Sequence, residues 1–372
     1  MSAGAGIMSS TVVVVGGGYG GAAVAKALEA EADVVLIDPR DAFANVAGSL
    51  RALAQPAWAA RMFFPFATLL TRGTVIRERA VSVDPDGVTL SSGRRVPADY
   101  LVLATGSSYA YPAKPKADAT EDALADLRDT HKELADAERV LIVGAGPVGL
   151  ELAGEIKDAW PSKSVTVVDV AATLLPGFEP DLRDDLHRQL DDLDIRLHLG
   201  ASLTALPPTE AGRAGAFTVA TTGGAEITAD IWFQAFGVRV NSDYLADGRL
   251  TTLTARGEVA VTDTLNVAGH GHVYAIGDLT DVAEDKLAAC ALRHAEVVAK
   301  NITAQLRGER PTTTYQPLPH PMILLPLGPR GGVGQMPTPE GPTVVSATTV
   351  SQYKGADLFT GRFTEQFGPT AA

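Results

Sequence analysis

Apolar residues in this chain come in short unbroken runs that end on glycine. Val12-Val13-Val14-Val15 leads into Gly16-Gly17-Gly18-Tyr19-Gly20-Gly21, and Val140-Leu141-Ile142-Val143 leads into Gly144-Ala145-Gly146-Pro147-Val148-Gly149. A β-branched run without polar alternation predicts a strand covered on both faces, the habit of parallel sheets. After each glycine turn the pattern changes to an Ala-containing helix, the first reaching about Ala30 and the second spanning Leu150–Ala159 before Pro161. A further apolar strand follows each helix, Val34–Asp38 and Val165–Asp169. The same strand, helix, strand unit therefore occurs twice, and each copy is half of a doubly wound α/β sheet.

The rest of the pattern places these units in order. Alternating strands are predicted around Val75–Val83 and Val88–Leu90, followed by Tyr100-Leu101-Val102-Leu103, which ends in the small-residue turn Ala104-Thr105-Gly106. Residues 107–136 read as a loop and a charged helix suited to a hinge. Strands near Leu197–Leu199 and Phe217–Ala220 precede Ile231-Trp232-Phe233-Gln234-Ala235-Phe236-Gly237, a second strand with such a turn. His272-Val273-Tyr274-Ala275-Ile276 then ends on Gly277-Asp278, and a helix runs from about Lys286 to Leu306. That late strand is expected to rejoin the first unit, making the second an insertion. The expected division is 1–110 and 246–310 for the first domain and 111–245 for the inserted one. Residues 311–372, rich in Pro, Gly and Thr, form a small module of short strands and loops.

Two strand–GxGxxG–helix turns imply two dinucleotides. The first glycine makes the tight turn, the second lets backbone approach a pyrophosphate, and the third lets helix pack on strand. The helix N-terminus then presents unpaired N–H groups to the phosphates. An acid is expected at the end of the second strand to meet a ribose. Asp38 stands there, 22 residues after Gly16, and Asp169 stands 25 residues after Gly144. A turn residue before Pro39 is the competing reading of Asp38.

Composition narrows the class. A length of 372 residues suits two or three domains, and 46% hydrophobic with 20% charged residues describes a globular chain. No apolar run approaches the roughly eighteen residues of a membrane span, and the start Met1-Ser2-Ala3-Gly4 lacks the order of a signal peptide. The cytoplasm is the expected address. A net charge of −13 argues against a nucleic-acid surface and against an acidic electron-transfer protein such as a ferredoxin. The single Cys290 rules out an internal redox disulfide; a small buried hydrophobe is its simpler reading.

The order of two GxGxxG turns, Ala104-Thr105-Gly106 and Tyr274-Ala275-Ile276-Gly277-Asp278 resembles the pyridine nucleotide-disulfide oxidoreductase-like flavoproteins of glutathione-reductase fold, over about residues 10–310. Asn45-Val46-Ala47, Val148 to Lys157, Gly332-Val333-Gly334-Gln335, and Lys354 ahead of Asp357-Leu358-Phe359 extend the resemblance. They point to the apoptosis-inducing-factor group, ferroptosis suppressor branch. The resemblance implies FAD in the first domain, NAD(P)H in the second, and hydride transfer to flavin followed by reduction of a quinone. Gly16, Gly17, Gly18, Tyr19, Gly20 and Gly21 would then hold the FAD pyrophosphate, Asp38 its ribose, Asp278 with Gly277 its ribityl chain. Arg51 would sit beside the flavin's phosphate or ring, Ala80 would touch adenine through its backbone, and Thr105 and Gly106 would close the site. Gly144, Gly146, Pro147, Val148, Gly149, Asp169 and Gly237 would line the pyridine nucleotide. Glu151, expected on the first turn of its helix, would face the nicotinamide and flavin as a catalytic residue that orients the nicotinamide or relays a proton, with helix-dipole complementarity as its alternative. Lys354 would lie near the flavin as a catalytic cation favouring the reduced anionic ring, with a solvated loop lysine as its alternative. The helix starting near Lys286 would aim its N-terminus at the flavin's pyrimidine end.

The chain lacks the Cys pair of the disulfide reductases, so electrons must leave flavin for a diffusible acceptor. Asp169 followed by Val170-Ala171-Ala172 has no arginine for a 2′-phosphate, which predicts NADH over NADPH. The branch's Met-Gly myristoylation start is replaced by Met1-Ser2, so no lipid anchor is expected. Pro321-Met322-Ile323-Leu324-Leu325-Pro326-Leu327 suits a quinone channel or bilayer contact, or simply a buried strand. Three functions compete: an NADH:quinone oxidoreductase, a reductase of a small protein such as rubredoxin or ferredoxin, and an NADH-sensing flavoprotein. The short C-terminal module favours a monomer or loose homodimer.

Overall fold

A computed structural model describes residues 10–371. The Met1-Ser2 start, on which the expectation of no lipid anchor rests, lies outside the described residues. The first glycine turn joins β1 (Thr11–Val15) to α1 (Tyr19–Leu28), and β2 (Asp33–Ile37) follows. Helix α2 (Ser49–Ala54), β3 (Thr74–Ile76) and β4 (Tyr100–Leu103) complete the first part of this domain. After α3 (Thr120–Asp136), the second unit comprises β5 (Arg139–Val143), α4 (Pro147–Ala159), β6 (Ser164–Asp169), α5 (Pro180–Asp192), β7 (Ile195–Leu199) and β8 (Ile231–Gln234). The chain then returns through β9 (Val273–Ala275) and α6 (Ala288–Leu306).

Both main sheets are parallel. The first has the order β9-β4-β1-β2-β3, the second β7-β6-β5-β8. Tyr274 pairs with Val102 and Val102 with Val14, so the late strand sits two places from the first and the second unit is an insertion in the chain path. Val12, Val13 and Val14 have no exposed surface: helices α1 and α6 cover the face of Val12 and Val14, and Val83, Val88, Leu90 and Val96 of an antiparallel ribbon cover that of Val13. Helix α1 packs on α6 through its small residues: a Cβ on Gly20 would lie 3.1 Å from the Ala291 carbonyl oxygen.

Three sequence expectations need correction. The stretch Val75–Val83 is two elements, β3 in the main sheet and Ala80–Asp84 in an antiparallel ribbon with Gly87–Leu90 and Arg95–Pro97. Helix α4 begins at Pro147 rather than Leu150, because proline with its preset φ suits the first helical position. Helix α6 begins at Ala288, two residues after Lys286, since Leu287 is still extended.

The C-terminal module is more than strands and loops. Strands β10 (Ile323–Leu327), β11 (Gly331–Thr338) and β12 (Gly341–Val345) form an antiparallel sheet. Helix α4 lies against it so closely that a Cβ on Gly154 would sit 2.5 Å from Leu327 Cα. A turn of π-helix, Ser351–Gly355, leads to α7 (Thr360–Phe367). Phe363 and Phe367 of α7 stack on each other and meet Phe43 edge-on, and Phe363 also reaches Phe64 and Tyr19, so the C-terminus is part of the first domain's core. No helix among the described residues is long and apolar enough to cross a membrane.

Candidate functional site

The two glycine turns are built alike. Gly16 has φ +102° and a Cβ there would lie 2.5 Å from the Ala104 carbonyl oxygen; Gly144 has φ +114° and a Cβ 2.4 Å from that of Ala235. At the third glycines, Gly21 and Gly149, a Cβ would fall on the carbonyl oxygen of Gly16 or Gly144. The middle glycines, Gly18 and Gly146, face open space, with nothing within 4 Å of a Cβ. Each is also a helix N-cap with no capping side chain, so the first N–H groups of α1 and α4 are free for an anion. Pro147 and Val148 open α4 beside that opening.

The acids at the strand ends are alike in one bond and differ in the rest. Asp38 Oδ2 accepts the Gly17 N–H at 2.6 Å, and Asp169 Oδ2 accepts the Ala145 N–H at 2.6 Å. Asp38 is also clamped by Arg40, whose Nε and a terminal nitrogen reach its two oxygens at 2.9 and 2.7 Å. Burial alone would push the Asp38 carboxyl up, but the Arg40 charge and hydrogen bonds outweigh it and hold it below the usual range. Asp169 has the Ala171 N–H at 2.7 Å and no basic side chain; its neighbour Val170 is 74% exposed. The acid of the first turn is therefore clamped by a basic side chain, while that of the second has backbone partners beside an exposed loop.

Around the first turn, Ala80 opens its ribbon four residues past Ile76, whose carbonyl takes the Asp38 N–H. Thr105 and Gly106 are tied to the returning chain, Thr105 Oγ1 to the Asn241 carbonyl at 2.7 Å. Asp278 Oδ2 accepts from Ser107 Oγ at 2.5 Å, and Lys114 Nζ in turn contacts Ser107 Oγ at 3.1 Å. Burial pushes the Lys114 amine down, with Asp278 opposing. Lys114 was not singled out from sequence, where it lay in the loop Tyr111-Pro112-Ala113-Lys114-Pro115. Gly237, at φ +93°, lies three residues past β8 between the exposed Phe236 and Val238.

Four of the expected side chains have protein partners of their own. Tyr19 sends its ring into the aromatic cluster and its hydroxyl to Asn45 Oδ1 at 2.8 Å, leaving only its backbone at the turn. Arg51 is 3% exposed and holds both Glu155 oxygens, with the Ala356 carbonyl at 3.2 Å. Its guanidinium thus ties α2 to α4 and the C-terminal segment. Lys286 precedes α6, bonded to the Thr280 carbonyl at 2.5 Å and paired with Glu258 at 3.1 Å. Lys354 is no solvated loop lysine: it pairs with Glu151 at 2.6 Å and gives a second bond to the Leu324 carbonyl at 3.0 Å. Glu151, in the second turn of α4 rather than the first, is 12% exposed and Lys354 15%. Burial pushes the Glu151 carboxyl up, and the Lys354 ammonium opposes it.

One strap therefore closes the centre. Asn45 Nδ2 bonds the Leu358 carbonyl at 2.7 Å, Arg51 the Ala356 carbonyl, and Glu151 the Lys354 ammonium. Residues 354–358 join the first domain to the helix of the second. Beside Gly277 and Asp278 lies a void too small for a water molecule, and its wall residues Lys286, Leu287 and Cys290 also line a separate cavity of about 530 Å³. The stretch 321–327 is divided: Pro321 and Met322 line this cavity, whereas Ile323–Leu327 is the buried strand β10. Among the described residues, no group of His, Cys, Asp and Glu is disposed to hold a metal.

Residues 10–299 match the pyridine nucleotide-disulphide oxidoreductase family. The chain is 33% identical over 372 residues to ferroptosis suppressor protein 1 of Taeniopygia guttata, covering 97% of each chain. It is 27% identical to apoptosis-inducing factor homolog B of Dictyostelium discoideum, covering 95% of this chain and 96% of that one. Among solved structures, the sulfide:quinone oxidoreductase of Aquifex aeolicus superposes with a TM-score of 0.75 at 18% identity, over 98% of this chain and 93% of that one.

Proposed function

Because the chain belongs to the pyridine nucleotide-disulphide oxidoreductase family, whose members bind FAD and NAD(P)H, we propose that it oxidises NADH and passes the electrons to a quinone-type acceptor. One observation carries the acceptor half of this reading. The only cysteine, Cys290, lies on α6 with no partner to form a disulfide, while a cavity walled by Leu287, Leu318, Pro319, Pro321 and Met322 shares Leu287 and Cys290 with the packing around Gly277 and Asp278. Electrons then leave to a small apolar molecule rather than to a protein disulfide.

The first glycine turn fits FAD, since Gly18 leaves room for a pyrophosphate and α1 offers free N–H groups. Gly16 to Gly21 would hold it there, Asp38 its ribose and Asp278 its ribityl hydroxyls. When bound, the flavin supplies the hydride-accepting chemistry that no side chain can. The second turn would take the exchangeable nucleotide. Asp169 accepts hydroxyl hydrogens of an unphosphorylated ribose and repels a 2′-phosphate, which favours NADH. Glu151, its carboxyl pushed upward by burial, is suited to hold a proton beside the nicotinamide, and Lys354 keeps that carboxylate compensated. The strap of residues 354–358 leaves this pair largely buried.

Steady-state oxidation of NADH and of NADPH with a short-chain quinone tests the reading. It predicts quinone-dependent turnover with kcat/KM for NADH well above that for NADPH. Turnover only with an added ferredoxin or rubredoxin would replace it by the protein-reductase reading.

A further inference from the structure

The strand ends around the first glycine turn are tied within the sheet. The Gly16 N–H donates to the Ile37 carbonyl at 2.8 Å, that of Ala104 to Val15 at 2.8 Å and that of Ile276 to Leu103 at 3.0 Å. One residue past Ile276 this stops. The Gly277 N–H leaves the sheet and donates to His294 Nδ1 at 3.0 Å, while the Gly277 carbonyl closes the turn onto Thr280 Oγ1 at 3.0 Å. Gly277 has φ +69°, and a Cβ there would lie 3.3 Å from Ala291 Cβ, so α6 stands directly against the turn. Asp278 is the next residue. Ser107 bonds its carboxylate; the backbone leading into it is held by a histidine of α6.

An imidazole that accepts at Nδ1 carries its proton on Nε2. His294 Nε2 faces Glu284 Oε1 at 2.8 Å in a bent contact, and neither buried atom has another partner among the described residues. His294 is 1% exposed and the Glu284 side chain 8%. Tyr315 donates its hydroxyl hydrogen to Glu284 Oε2 at 2.6 Å and stands edge-on to the imidazole, with centroids 4.2 Å apart. Arg293 in turn donates to the Tyr315 hydroxyl at 3.1 Å. Burial alone would push the Glu284 carboxyl up, but His294 and Tyr315 outweigh it and keep it ionised. The opposite tautomer would turn a bare nitrogen toward this carboxylate and set N–H against N–H at Gly277. Two buried groups would lose their partners at once.

Resting on the reading that Asp278 takes the ribityl hydroxyls of FAD, we propose that His294 and Glu284 are positioning residues for the flavin. The Glu284 carboxylate fixes the ring proton on Nε2; the imidazole, so oriented, holds the Gly277 N–H and sets the place from which Asp278 reaches the cofactor. Both act through the backbone of the turn. The logic is that of a carboxylate fixing the tautomer of a ligating histidine, with a backbone amide in the place of the metal.

The test is the rate at which FAD leaves the loaded full chain on dilution, followed by free-flavin fluorescence, beside the 15N shifts of the histidine rings, which report each tautomer. We expect wild-type His294 to carry its proton on Nε2. His294→Leu removes the acceptor and should speed FAD release at least about tenfold, the effect of a buried amide left without a partner. His294→Asn sets an amide oxygen close to where Nδ1 stands and should recover most of that loss, which a residue needed only to fill space would not show. Glu284→Leu should leave the ring without a single tautomer and speed release at least about threefold. Asp278→Ala is the reference and should release FAD at least as fast as His294→Leu. A proton on Nδ1 in the wild type, or His294→Asn no better than His294→Leu, would overturn the proposal. So would fast release from Asp278→Ala with none from His294→Leu. Unchanged release from Asp278→Ala would instead overturn the placement of the ribityl chain on which the proposal rests.

Discussion

Replacing Glu155 by methionine should be among the most damaging single changes away from the glycine turns. Arg51 and Glu155 are 3% and 4% exposed, and their side chains share three hydrogen-bond contacts of 2.7 to 3.2 Å. Without the carboxylate, the guanidinium keeps only the Ala356 carbonyl. Removing one partner of a buried pair costs about 3–5 kcal/mol, because the remaining charge is stranded in a medium of low dielectric. At about 2 °C per kcal/mol for a chain of this size, the melting temperature should fall by roughly 6–10 °C. Arg51→Met/Glu155→Met removes both charges and should return to within about 1 kcal/mol of wild type, since such pairs rarely outperform apolar residues of similar volume. Arg188→Ala on the exposed face of α5 gives the baseline. Its side chain is 66% exposed and pairs with Asp185 and Asp192 within the same helix, so the change should cost under about 1 kcal/mol. Thermal and urea unfolding at fixed FAD concentration measures all three. A Glu155→Met protein no less stable than Arg188→Ala, or a double variant worse than the single, would refute the reasoning.

Asp169→Ala removes the carboxylate that repels a 2′-phosphate; the NADH over NADPH ratio of kcat/KM should fall at least about tenfold, and an unchanged ratio would sink the specificity argument. Lys354→Met strands Glu151 in the interior. Stopped-flow reduction by NADH should slow at least about tenfold, and Glu151→Gln/Lys354→Met should recover stability without recovering the rate. Asp38 has a depressed pKa in the folded protein, so its contribution to stability is complete above the unfolded value of about 3.9 and is lost as pH falls through the folded one. Asp38→Asn should therefore lower stability at neutral pH and flatten the acid limb of the stability profile below about pH 4; parallel acid limbs would contradict this.

What could be read from sequence was local. The runs Val12–Val15 and Val140–Val143, the glycines after them and the acids at Asp38 and Asp169 are set by period and spacing within some 25 residues, and these positions appear together in both turns. The strap could not be read in this way. Lys354 meets Glu151 across 203 positions, and Arg51 meets Glu155 across 104. No periodicity records which lysine is buried or which arginine is spent. Lys114 was hidden among prolines, and Glu284 looked like any acid before a helix. The C-terminal helix did leave a signal. Phe359, Phe363 and Phe367 recur every four residues, the spacing of one helix face, within a segment whose Pro and Gly content suggested strands and loops.

The central claim is that a flavin held at Gly16 to Gly21 takes electrons from NADH and gives them to a quinone. Its most direct test is the absorbance of the purified full chain under argon, before and after one equivalent of NADH and again after a short-chain quinone. The account predicts a flavin band that bleaches with NADH and returns with the quinone. A colourless protein that FAD cannot reconstitute, or a bleached band that the quinone leaves unchanged, would contradict it.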